Sequence, residues 1–144
     1  MKIALISCVS KKLELTKGEF VPAKDLYTSS LFKMAYAYAE NLGVDRVYIL
    51  SAKHGLLAPT DRIEWYNETL LNKSAKERRE WSDNVLNALK EKGYDLSKDT
   101  FYLLAGKKYY QYLLGEGKME MYELPYKGLK GIGYILSFLK SELL

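Results

Sequence analysis

Three short apolar runs recur along this chain, near residues 2–8, 46–51 and 100–105, and segments with helical periodicity separate them. Each run is rich in β-branched or aromatic side chains, the composition of buried strands. Strands that alternate with helices predict an α/β fold. The expected form is a three-layer sandwich, a mainly parallel central sheet with helices on both faces. No repeat, low-complexity tract or linker interrupts the pattern, so residues 1–144 are expected to form a single domain.

The middle run bears most directly on function. Val47-Tyr48-Ile49-Leu50 passes abruptly into Ser51-Ala52-Lys53-His54-Gly55, so small, cationic and imidazole groups gather where a strand ends. Ligands of open α/β sheets bind outside the carboxyl ends of the strands. His54 is the single histidine, and Gly55 after it allows a tight turn or a close backbone approach. A histidine that only hydrogen-bonds nearby backbone is the plain alternative. The polar residues that follow, Asp61, Glu64, Tyr66, Asn67 and Thr69, favour a site.

The same logic applies to the first strand. Ser7, Cys8, Ser10, Lys11 and Lys12 lie at its carboxyl end, where hydroxyls and backbone N–H groups can donate to an anion and ammonium groups can neutralise it. No Gly-rich P-loop is present, which leaves a nucleotide-triphosphatase without support. Residues 13–24 form a polar connection punctuated by Gly18 and Pro22. Thr28, Ser29 or Ser30 then caps a helix carrying Phe32, Ala35, Ala39 and Leu42, with Gly43 as its stop. The start of that helix is a second candidate anion seat.

Ser74-Ala75-Lys76-Glu77 matches a capping box and opens a helix to about Lys92 with a narrow apolar face, Trp81, Val85, Ala88 and Leu89. After the third strand come a short helix over Lys107–Leu114 and a short edge strand over Met119–Leu124. A last helix begins near Leu129, with Leu129, Ile132, Leu136, Leu139 and Leu143 as its expected buried face.

Composition bounds the partners. A net charge of +4 and thirteen tyrosines are compatible with an anionic partner and with stacking faces for bases. One cysteine excludes an internal disulfide and fits a reducing cytoplasm; one Cys and one His do not make a cysteine-based metal cage, and no metal or other cofactor is expected. No apolar run approaches the roughly 18 residues that a membrane span needs.

Three motifs carry a family resemblance: Ser7-Cys8-Val9-Ser10-Lys11-Lys12, then Ala23 to Phe32 (AKDLYTSSLF), then Leu50 to Leu57 (LSAKHGLL), with Gly128 to Gly133 as a fourth element near the end. In these the chain resembles a family catalogued as domain of unknown function 6884. Val9 departs from the family pattern, which has a small polar residue there. More distantly, Leu50 to Asp61 followed by Tyr66 is similar to a segment of the YaaA peroxide-stress proteins, which are associated with DNA binding and the limiting of oxidative DNA damage. Related α/β domains beside archaeosine enzymes look like uracil-DNA-glycosylase folds. These resemblances imply an α/β fold and a nucleic-acid partner.

Three functions follow as expectations. One is an enzyme acting on a nucleobase or N-glycosidic bond in DNA or RNA. Breaking that bond develops positive charge on the sugar and negative charge on the departing base. Asp61 or Glu64 would answer the first, and His54 or Lys53 the second. Ser7, Ser10, Lys11 and Lys12 would hold phosphate, Ser29 and Gly55 would border the ligand, and Tyr27 or Tyr66 would stack on a flipped base. A non-catalytic DNA-binding protein and a small nucleotide-ligand binder are the alternatives.

Overall fold

Residues 3–6 of the first strand have essentially no exposed surface, and the reason is the strand's place in the sheet. In the computed structural model, which describes residues 1–7 and 12–144, β1 (Lys2–Ser7) lies at the centre. The chain continues through β2 (Val21–Pro22), α1 (Ala23–Leu26), α2 (Ser30–Asn41), β3 (Arg46–Ser51), β4 (Gly55–Leu57) and β5 (Arg62–Ile63). A 3-10 turn at Leu70–Asn72 precedes α3 (Ala75–Glu91), β6 (Thr100–Leu104), α4 (Lys107–Tyr110), β7 (Met121–Glu123) and α5 (Ile132–Leu143). The five-stranded sheet runs β4-β3-β1-β6-β7, with β2 and β5 forming a separate antiparallel pair. β1 pairs parallel with both β3 and β6, and β6 parallel with β7; only β4 is antiparallel, against β3. The protein is thus a mixed α/β structure on a mostly parallel sheet.

The side-chain alternation of β1 divides the interior in two. Ile3 and Leu5 join a cluster with Leu50, Phe101 and Leu103, together with Trp81, Val85, Leu86 and Leu89 of α3. Ala4 and Ile6 join another with Phe32, Ala35 and Ala39 of α2 and Leu139 of α5. A strand buried on each side cannot alternate apolar with polar, and hence the continuous run in the sequence.

Local signals account for the helix starts. Ser29 caps α2, its Oγ accepting from the Phe32 N–H at 3.1 Å. Ser74 and Glu77 form the reciprocal capping box of α3, both bonds at 3.1 Å. The last helix begins at Ile132 rather than near Leu129, after Gly131 takes φ +102°. Its buried face also differs from expectation. Ile132 is 61% exposed and Leu139 fully buried; Ile135, Phe138 and Leu139 turn inward because α5 packs on α2, where Phe138 meets Tyr38 edge-on with ring centroids 5.6 Å apart. Among the described residues, no helix is long and apolar enough to cross a membrane.

Candidate functional site

Ser51, the last residue of β3, is fully buried and polar. Its Oγ donates to the Tyr66 hydroxyl at 2.9 Å and accepts from the His54 backbone N–H at 3.1 Å. Its carbonyl accepts from the Trp81 indole N–H at 2.8 Å. The Tyr66 hydroxyl in turn lies 2.6 Å from that of Tyr27. One serine therefore fixes the His54 turn to the strand, to the Tyr66 segment and to α3.

Around this hub the structure brings together several residues far apart in sequence. The His54 ring stands perpendicular to that of Tyr66, centroids 5.5 Å apart. The Lys12 ammonium lies 4.7 Å from the centroid of the same tyrosine, a cation–π distance. Lys12 also bridges backbone to backbone with Tyr27. Ser7 ends β1 in register with Leu50, one residue from Ser51. Lys53 is exposed beside His54. Ser7, Lys12, Tyr27, Lys53, His54 and Tyr66 thus share the carboxyl edge of β1 and β3. Ser10 and Lys11 lie outside the described residues.

Partial desolvation of the His54 ring, and then the neighbouring Lys53 charge, hold its pKa below the ordinary 6.5; Glu68 and Glu64 pull the other way. The imidazole is accordingly neutral near pH 7. A neutral ring has one N–H to donate and one nitrogen to accept.

Five of the candidate residues have structural roles in the fold. Asp61 does not face His54. Gly55 pairs with Ser51 and Leu57 with Ile49, so β4 runs back along β3 and delivers the following turn toward that strand's amino end. Pro59 there shares a surface hollow with Val44, Asp45, Arg46 and Val47, and the Asp61 carboxylate closes the turn by accepting from the Ala58 N–H at 2.8 Å. Tyr27 and Tyr66 are 1% and 4% exposed. Tyr27 already packs against Phe32, centroids 5.1 Å apart, so neither ring offers a free face to a base. Gly55 serves the turn: it is buried with φ +73°, and a Cβ there would meet Val85 at 3.8 Å. Ser29 uses its hydroxyl to cap α2.

Three residues at the site received no site role in the sequence. Ser51 and Trp81 are recognisable only once strand and helix are docked. Glu68 influences His54 more than Glu64 does, and no spacing signal marks it. Among the described residues, no group of His, Cys, Asp and Glu side chains is placed to hold a metal ion.

An uncharacterized protein, YfjM, of Bacillus subtilis (strain 168) is 30% identical over 141 residues, covering 96% of this chain and 92% of its own length. The model of the family of unknown function DUF6884 matches residues 3–141. The chain belongs to that family.

Proposed function

We propose that the protein acts on a nucleobase in DNA or RNA, as an N-glycosidase whose reacting groups surround His54. The observation that carries this reading is the placement of a neutral His54, with Lys53 next to it, Lys12 over the Tyr66 ring that it meets edge-on, and the carboxylates of Glu68 and Glu64 acting on it, at the carboxyl edge of parallel strands. In the hydrolysis a water oxygen bonds to C1′ as the C1′–N bond breaks, and that electron pair leaves with the base. His54 donates a hydrogen bond through its N–H to the departing base anion, the two lysines offset the negative charge, and the anion then takes its proton from solvent. Glu68, supported by Glu64, stabilises the cationic sugar and takes the proton of the water. Asp61 has no part in it. The Tyr27–Tyr66–Ser51 hydroxyl chain holds the histidine in place rather than touching the base.

The resemblance of Leu50 to Asp61 and Tyr66 to a segment of the peroxide-stress proteins, whose related α/β domains look like glycosylase folds, supports a nucleic-acid substrate. We read the two interior clusters as helix layers on opposite faces of the sheet, the three-layer form of such domains. The single cysteine supports a cytoplasmic location.

The test incubates the protein with DNA carrying damaged or modified bases and scores strand scission at abasic sites, with RNA assayed by mass spectrometry of released bases. Base release should fall about 100- to 10,000-fold in Glu68→Gln, the range for loss of an acid–base group, while binding holds. Lys12→Ala should reduce the salt dependence of binding by about one counterion. Salt-dependent binding without release of any base would make the protein a non-catalytic nucleic-acid binder. Absence of both would leave a small-ligand function.

A further inference from the structure

A hollow of about 230 Å³ lies outside the carboxyl ends of β6 and β7, apart from His54. Its floor is apolar: Leu103 is fully buried and Ala105 nearly so. Leu124, Leu129 and Tyr110 form its walls, and Lys107 and Lys127 stand exposed at its rim. None of its lining residues is acidic. β6 and β7 pair in parallel, and the crevice outside the carboxyl ends of parallel strands is where open α/β sheets seat ligands.

We propose that this hollow binds a nucleotide monophosphate, with the base on the apolar floor beside Tyr110 and the phosphate between Lys107 and Lys127. The size fits: the hollow is smaller than the roughly 300–1,000 Å³ of pockets for drug-sized ligands, which leaves room for one base and keeps a charged group at the mouth. The chemistry fits as well. Two ammonium groups with no carboxylate between them select a dianion, and an apolar floor flanked by a tyrosine ring selects a flat, weakly polar body. The phosphate belongs either to a free mononucleotide or to the 5′ end of a strand. This site is independent of the glycosidase reading.

Isothermal titration tests it with the common ribo- and deoxyribonucleoside monophosphates, the matching nucleosides, inorganic phosphate, and dinucleotides with and without a 5′-phosphate. Gly106 lines the hollow with an ordinary φ of −75°, and a Cβ there meets nothing within 4 Å, so Gly106→Leu fills the space without straining the backbone. A monophosphate should bind to the native protein, and about tenfold or more weakly to Gly106→Leu and to the Lys107→Ala/Lys127→Ala double variant. Nucleoside binding should fall only in the former, and His54→Ala should bind as the native protein does. Preference for the 5′-phosphorylated dinucleotide over every mononucleotide would assign the phosphate to a strand end within the same hollow. The proposal is overturned if no probe binds at millimolar concentration, or if folded Gly106→Leu binds undiminished. Loss of binding in His54→Ala alone would also overturn it, and would move the ligand to the other site.

Discussion

Ser51 and His54 are three residues apart and should respond to mutation in opposite ways. Ser51→Ala removes a buried hydroxyl that serves both Tyr66 and the His54 backbone N–H. Leaving buried polar partners unsatisfied costs about 1–3 kcal/mol each, so chemical denaturation should register a clear loss. Among the described residues the exposed side chain of His54 makes no comparable bond, and His54→Ala should stay within about 0.5 kcal/mol of the native protein. As the single histidine, His54 can be titrated by NMR without assignment. Its midpoint should lie below 6.5, rise in Lys53→Ala and fall further in Glu68→Gln, because Lys53 lowers and Glu68 raises it. Since the unfolded chain takes up this proton at higher pH than the folded one, the stability contributed by the neutral ring is present above 6.5. It is lost as pH falls from there toward the folded value.

At the level of elements, α3 shows how much a short pattern can specify. Its capping box reads directly from Ser74 and Glu77, and Ser74→Ala should cost about 0.5–2 kcal/mol, measurable by thermal melting. Backbone and side-chain hydrogen bonds with Ser74 hold the Glu77 carboxyl below its ordinary 4.5. The stability linked to this carboxylate is therefore present above 4.5 and lost as pH falls through the folded value, and Glu77→Gln should flatten that acid limb. The hairpin formed by β3 and β4 taught the reverse lesson. Gly55-Leu56-Leu57 is three residues long and reads as loop, yet its antiparallel pairing decides which end of the sheet receives Asp61. A carboxylate seven positions from a histidine looks like a partner until that pairing is known.

Across the whole molecule, legibility followed burial. β1, β3 and β6 are readable because each has a strand on both sides and a largely buried, apolar run. The β2–β5 pair, two residues to a strand, owes its existence to tertiary packing and left no periodic trace. Tyr27 and Tyr66 looked like stacking platforms because a tyrosine carries the same symbol whether its ring is exposed or closed in. The same gradient of burial predicts hydrogen exchange. Amides of β1, flanked on both sides, should exchange only through global unfolding, whereas those of β7 and of the β2–β5 pair should open locally and exchange much faster. Equal protection across all of these strands would contradict the stated order of the sheet.

The bond from the Trp81 indole to the Ser51 carbonyl makes the protein its own spectroscopic probe. Of the two tryptophans, Trp65 is 47% exposed and Trp81 only 8%. A Trp65→Phe protein would carry a single tryptophan, enclosed and tethered to the peptide group from which the His54 turn departs. Any ligand that shifts that turn must disturb this tether and with it the emission. Occupancy of the His54 region can therefore be followed without a label, before its chemistry is known.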